Sequence, residues 1–410
     1  MPTTRRATFR RRRILVFGLV AALLGTGGYA AAAGLAPVPA TAATLSPQVA
    51  ATQASAQVDW PDFGGSAFGA VGFAGILGEG GKQNAVPMAS LTKLVVALVV
   101  LDKHPLGESD AGPDITFTEQ DVANYRQAMA SGGSFAPVVA GLVLSERQAL
   151  TAMLLPSANN YAQSLAVWAY GSSEAYLEAA AAWLAERGLT DTVVADLTGL
   201  SAQSVSTPAD LVEIGKLVEA NAALSSIVAL PAATLPGAGT VNNTNLLLGT
   251  NGVDGIKTGT TIAAGACLLF STELTIGTKA VTVIGVVLSG DTQVEVRAAV
   301  TSLINSVRAG FHDVQLTEAG TRYGEYATSW GQSSGIVAAE AASVLVWSDT
   351  AVVGVVEATP ASPGPAGENV GTVDFTVGEN TISVPLELDA TLTDPGPAWR
   401  FANPGELFGR

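Results

Sequence analysis

The chain has a single cysteine, Cys267, among 410 residues, so no intrachain disulfide can brace it. That thiol falls in a strand-like run and is expected to be a small core residue. The two histidines, His104 and His312, have no nearby His, Cys or carboxylate pattern with metal-ligand spacing. Zinc and haem chemistry are therefore disfavoured, and no cofactor or metal is implied. Charge is also scarce, at 13% of residues, with a net charge of −15. This balance provides no basic footprint for nucleic acid, which is not expected as a partner. Hydrophobic residues make up 48% of the chain, too many for a disordered one.

Charge is missing altogether from Ile14 to Val58, directly after Arg5, Arg6, Arg10, Arg11, Arg12 and Arg13. A basic cluster followed by Ile14–Leu24 reads as an export segment whose arginines stay in the cytoplasm, placing the rest of the chain outside. The apolar run to Ala36 is long enough to span a bilayer, which takes about 20 residues. Retention as an anchor in the cytoplasmic membrane is the adopted reading. Small-x-small sites at Ala31-Ala32-Ala33 and Ala40-Thr41-Ala42 leave cleavage and secretion to the cell wall as the alternative. Residues 37–58, rich in Pro, Ala, Thr, Ser and Gln, read as an extracytoplasmic tether.

Length predicts two or three domains. Residues 59–87 read as a β-hairpin with a turn at Gly78-Glu79-Gly80-Gly81. The pattern from Lys93 to about Ala222 is helical, with a capping box at Ser145-Glu146-Arg147-Gln148, a C-terminal Gly188, and a helix start at Thr207-Pro208-Ala209-Asp210. Strands follow at 255–261, 267–275 and 280–289, then a helix over 294–309. Strand, helices, strands, helix is an α+β order, with a sheet assembled from both ends of the domain around a helical insertion. Beyond Phe311 the alternation predicts a small β domain. The boundaries are 1–58 for the cytoplasmic tip, anchor and tether, 59–312 for a catalytic domain and 313–410 for the β domain.

The stretch Met88-Ala89-Ser90-Leu91-Thr92-Lys93 runs into the apolar Leu94–Leu101. Ser90 falls where helix-start N–H groups and the positive dipole end converge, and Lys93 lies one turn on, sharing its face. Serine is a poor nucleophile until an adjacent base activates it. S-x-x-K alone occurs often by chance, and a plain N-cap serves Ser90 equally well. Two further motifs follow in order: Ser157-Ala158-Asn159 after a helix, and Lys257-Thr258-Gly259 opening a strand. Each has a bland reading as a cap, a solvated strand residue or a bulge, but their order and context together point to chemistry.

S-L-T-K, S-A-N and K-T-G-T resemble the penicillin-recognising serine enzymes, and among them the D-alanyl-D-alanine carboxypeptidases. The resemblance covers about residues 59–311 and is supported by Leu155-Pro156, Thr198-Gly199-Leu200-Ser201 and Ser206–Asp210. It implies a β-lactamase/transpeptidase-like fold and a substrate that is a peptidoglycan stem peptide ending in D-Ala-D-Ala. It also implies β-lactam antibiotics as covalent inhibitors. On this resemblance Ser90 attacks and is acylated, Lys93 takes its proton, and Ser157 relays a proton to the departing D-alanine. Asn159 orients Lys93 and holds the peptide. Lys257 and Thr258 bind the terminal carboxylate, and Gly259 lets the strand approach. The N–H of Thr260 with that of Ser90 forms the oxyanion hole. Arg297 is a further carboxylate ligand, one residue off the family's spacing.

A class A β-lactamase is the enzymatic alternative, with Glu174 as the nearest candidate for its water-activating glutamate. A wall-binding protein without turnover is the non-enzymatic one. Gly331-Gln332-Ser333-Ser334-Gly335 fits a hydrolase elbow, but no histidine follows it in the chain, so the match is set aside.

Overall fold

The structure, a computed structural model, describes residues 4–47 and 49–409, with the backbone alone at 4–7 and 49. The side chains of Arg5 and Arg6 thus lie outside the described residues. The chain forms two compact units: residues 54–313, and residues 1–53 together with 314–410.

The 54–313 unit is built on a five-stranded antiparallel sheet. Its order is Val253–Thr261, Gly265–Ile276, Lys279–Gly290, Gly65–Ala70 and Gly78–Gly81. Strands from both ends of the unit therefore meet in one sheet, as the α+β reading expects. The segment Gly78–Gly81 was expected as a turn and is instead the edge strand. Its glycines serve close packing: a Cβ at Gly78 would fall 2.7 Å from the Phe68 ring, and one at Gly80 would fall 2.4 Å from Trp60. Helices Pro208–Ala220 and Gln293–Gly310 pack on this sheet.

The remaining helices form a cluster around Asn159–Tyr170, which contacts Thr92–Lys103, Glu119–Ala130, Glu146–Leu154 and Ser173–Glu186. Local signals in the sequence fix several of their ends. Ser145 accepts the Gln148 N–H while Gln148 reaches back to the Ser145 N–H, closing the capping box. Thr207 accepts the Asp210 N–H ahead of Pro208, and Gly188 takes a positive φ of 72° past the helix Ser173–Glu186. In the helix Thr92–Lys103 every residue from Thr92 to Leu101 is buried. That explains an apolar run with no polar face, since a helix apolar all round needs cover on every side. Cys267 is buried in the second strand of the sheet, as expected.

The other unit departs from expectation in its N-terminal part. Its sheet runs Ala43–Leu45, Arg322–Ala327, Ser333–Ala338, Asn380–Leu388, Asn369–Val377, Val352–Ala358 and Val49–Ala51. The segment read as a free tether thus supplies both outermost strands. Ala43–Leu45 pairs with 324–326 and Val49–Ala51 with 352–354. Its Ala, Thr and Val residues fit a pleated surface, and they pair part of the Arg322–Ala327 and Val352–Ala358 strands, leaving only three-residue strands at the edges. Composition reported the lack of charge, but pairing partners some 280 residues away leave no local trace. Preceding this strap, Thr4–Leu35 is one helix, and its stretch Thr8–Leu35 is long and apolar enough to cross a membrane.

A chain starting at Ala54 should therefore expose two unpaired sheet edges that a chain starting at Pro37 keeps covered. Limited proteolysis read by mass spectrometry should show cutting within 314–410 faster by about tenfold in the shorter chain, with 54–313 equally resistant in both. Equal cutting of the β unit would show that the strap adds no stability.

Candidate active site

Ser90 lies in a 3-10 turn, Ala89–Leu91, and the α-helix starts at Thr92, slightly later than the sequence predicts. The turn is held at Ala89, whose φ of 50° is uncommon for a residue with a side chain. Such a conformation costs on the order of 1–3 kcal/mol and persists only where the surroundings enforce it. Here they do: the Thr92 hydroxyl donates to the Ala89 carbonyl at 2.8 Å, and Gly199 presses on that carbonyl so closely that a Cβ would lie 1.8 Å away. On the strand side, a Cβ at Gly259 would lie 3.0 Å from the Ser90 nitrogen. Glycine at this point brings the Val253–Thr261 strand, terminal in its sheet, against the Ser90 turn.

Lys93 is fully buried. Its Nζ donates to Ser90 Oγ at 2.9 Å and to the Thr198 carbonyl at 2.8 Å. Burial pushes its pKa well below the ordinary lysine value, the charge of Lys257 pushes the same way, and Asp196 opposes both. Burial is the larger cause. Lys257 is also buried, donates to the Thr258 carbonyl at 3.0 Å, and is lowered by desolvation to about 7.

Ser157 and Asn159 are buried at the start of the central helix. Ser157 has a φ of 65°, and its Oγ is buried with no hydrogen-bond partner among the described residues. A buried hydroxyl without a partner is costly and is available to a ligand. The Asn159 N–H donates to the Ser134 carbonyl, and its side-chain amide lies over Gly133, where a Cβ would come within 2.6 Å. The hydrogen bonds of Lys93 Nζ go to Ser90 and Thr198, so the described contacts that orient the amine come from the 196–204 loop rather than from Asn159.

Thr258 is buried and Thr260 exposed on the same strand. Arg297 is half-buried on the helix Gln293–Gly310, and among the described residues no hydrogen bond or ion pair joins its side chain to Lys257, Thr258 or Thr260. Gln293, a turn earlier, takes that position. Its Nε2 lies 2.9 Å from the Gly259 carbonyl, 3.0 Å from Thr260 Oγ1 and 3.2 Å from the Cys267 carbonyl. Glu174 is exposed in the first turn of Ser173–Glu186, where its own backbone and Ser172 lower its pKa. Ser333 opens a strand and not a strand-to-helix elbow.

Sequence reasoning missed three supporting residues. Thr244 links two motifs: its N–H donates to the Leu155 carbonyl at 3.1 Å, and its hydroxyl shares a 2.6 Å hydrogen bond with Thr258. Asp196 and Gln293 are the others. Thr244 and Gln293 reach partners that only folding brings near, whereas Asp196 gathers N–H groups of its own loop and meets Lys93 only through Thr198.

A serine hydroxyl held by a buried amine, with strand and helix-start backbone around it, is the equipment of a serine acyl-transfer enzyme. The chain belongs to the D-alanyl-D-alanine carboxypeptidase family, whose profile matches residues 74–292. It is 32% identical over 197 residues to a D-alanyl-D-alanine endopeptidase of Pseudomonas aeruginosa and 30% identical over 200 residues to one of Escherichia coli. Each alignment covers 46% of this chain and only 60% of the relative's length. Among solved structures it is similar to a DD-transpeptidase of Streptomyces, at 26% identity and a TM-score of 0.53 over 59% of this chain and 95% of that one. Penicillin binding protein 5 of Haemophilus influenzae shares the fold over 83% of this chain and 98% of that one, with a TM-score of 0.56 and 20% identity. The fold is thus the α+β serine DD-peptidase fold.

Replacing Lys93 separates amine chemistry from charge. A guanidinium stays protonated at any workable pH and cannot accept the Ser90 proton. Both Lys93→Arg and Lys93→Ala should therefore acylate with a fluorescent penicillin at least roughly a hundredfold more slowly than wild type. An arginine variant within about tenfold of wild type would remove Lys93 from the base role.

Proposed function

We propose that the chain is a serine-type D-Ala-D-Ala carboxypeptidase that removes the terminal D-alanine from peptidoglycan stem pentapeptides through a Ser90 acyl-enzyme, and that penicillin acylates the same serine. The observation that carries this reading is the 2.9 Å hydrogen bond between Ser90 Oγ and a fully buried Lys93 amine. A buried amine is favoured in its neutral form, which is the form that accepts a proton.

In the proposed sequence Lys93 takes the Ser90 proton as Oγ attacks the carbonyl of the penultimate D-alanine. The N–H groups of Ser90 and Thr260 face the developing oxyanion. Ser157 carries a proton to the leaving amine, for which its unpartnered hydroxyl is suited. Asn159 holds the peptide, while Lys257, Thr258 and Thr260 receive the terminal carboxylate. An extended peptide laid along the terminal strand fits recognition by strand addition. The apolar helix Thr8–Leu35 supports a location outside the cytoplasm at the membrane.

A second reading is cleavage within a cross-link, favoured by the endopeptidase names of the two curated relatives. Free D-alanine released from a pentapeptide supports the carboxypeptidase reading. Cleavage of a cross-linked muropeptide dimer without D-alanine release supports the endopeptidase. In either case Ser90→Ala should abolish both turnover and a penicillin adduct detected by mass spectrometry. An adduct persisting in that variant would end the assignment. A β-lactamase would release the adduct rapidly, and a wall-binding protein would form none.

The pH dependence follows from the two amines. Acylation needs Lys93 neutral, so the rate should fall on the acid side as Lys93 gains its proton. Carboxylate capture needs Lys257 charged, so KM should rise as pH passes about 7, where Lys257 loses its proton. Lys257→Arg stays charged and should keep KM flat through that range. A KM that still rises there in the arginine variant would detach the alkaline limb from Lys257.

A further inference from the structure

The loop beside Lys93 is organised by one carboxylate that no motif contains. Asp196 Oδ2 accepts from the backbone N–H groups of Thr198 and Leu200, both at 3.1 Å, and from the Thr198 hydroxyl at 2.6 Å. Its Oδ1 accepts from the N–H groups of Gly199 and Ser201 at 3.2 and 3.4 Å, and from the Ser204 hydroxyl at 2.6 Å. Four successive backbone donors and two hydroxyls thus converge on one side chain. Charge-assisted bonds of this kind are about twice as strong as neutral ones. The loop they fix touches the Ser90 turn in two places: the Thr198 carbonyl accepts from Lys93 Nζ at 2.8 Å, and Gly199, at a φ of 79°, lies against the Ala89 carbonyl.

We propose that Asp196 is the positioning residue for the Lys93 amine, aiming the Thr198 carbonyl at Nζ and setting a negative charge beside it. This deepens the acyl-enzyme reading above and rests on it. The carboxylate needs no contact with substrate. Without the Thr198 carbonyl, Lys93 Nζ would keep Ser90 as its one described partner, and a buried amine free to rotate is poorly placed to collect the serine proton. Among the described residues the charges acting on Lys93 are Lys257, from the strand, and Asp196, from this loop; Lys257 lowers its basicity and Asp196 raises it. The hydroxyl and backbone donors hold Asp196 itself ionised, lowering its pKa against the opposing effect of burial. Asp196 therefore stays charged across the working range, and its influence on Lys93 is constant.

The test is the rate of penicillin acylation against pH in the full chain, for wild type, Asp196→Asn and Ser204→Ala. Asparagine keeps the shape and removes the charge. Its plateau rate should fall by about ten- to a hundredfold through misplacement of the amine, and its acid limb should move to lower pH because Lys93 binds a proton less tightly. A merely structural role would lower the plateau and the melting temperature and leave the limb in place, so an unmoved limb overturns the proposal. Ser204→Ala keeps the charge and loses one donor, so its plateau should fall by a few-fold with the limb unmoved; a limb that moved as in Asp196→Asn would assign the shift to a loosened loop and overturn it too. If Asp196→Asn does not fold, the pair Thr198→Ala and Ser204→Ala strips both hydroxyl donors and leaves the carboxylate. That double variant must acylate more slowly, and a wild-type rate in it overturns the proposal. A wild-type chain that forms no adduct on Ser90 fails the acyl-enzyme reading instead, which keeps the two failures apart.

Discussion

Two lysine amines are buried in one small site, and the rest of the arrangement depends on how their charge is managed. Moving an ammonium out of water costs several kcal/mol even after relaxation, and a group in that position gives up its proton instead. Lys93 is enclosed by the helical cluster and the 196–204 loop, while Lys257 is enclosed on its strand. Desolvation lowers both, and at Lys93 the charge of Lys257 adds to it. Asp196 pulls the other way and limits how far Lys93 falls. The lowered basicity of Lys93 is thus a product of packing. An identical Ser-x-x-Lys on an exposed helix would have an ordinary lysine and an unactivated serine.

That packing explains why the site is assembled from three parts of the fold. The Ser90 turn is squeezed between Gly259 on the strand, where a Cβ would be tightly crowded, and Gly199 on the loop, where no side chain fits. Thr244 fastens the Ser157 segment to Thr258. Positive φ values at Ala89, next to Ser90, and at Ser157 place strain beside one proposed reactive serine and at the other, and the surrounding close contacts hold it. A sheet carrying Lys257, a helical cluster carrying Ser157, and the turn between them each contribute one motif.

The second unit poses a different question, because its sheet is completed by residues that come before the catalytic unit in the chain. The strap 43–51 covers both edges, so the β unit is assembled from chain segments on either side of the catalytic unit. The strands left at the edges are only three residues long, one of the ways a sheet limits pairing with other chains.

The sequence by itself determined the order of elements, the helix caps, the buried helix after Ser90 and the three motifs, because each rests on neighbours within a few residues. Ser145 with Gln148, Thr207 with Asp210 and Ser90 with Lys93 are local relations set by helix geometry. Tertiary structure alone decided the rest. It turned Gly78–Gly81 into a strand under Trp60, made the tether the border of a distant sheet, and brought Gln293 onto the Lys257 strand. It also brought the Thr198 carbonyl onto the Lys93 amine. Those outcomes depend on contacts between residues tens to hundreds of positions apart, where periodicity and propensity carry no information and only close packing selects the partner.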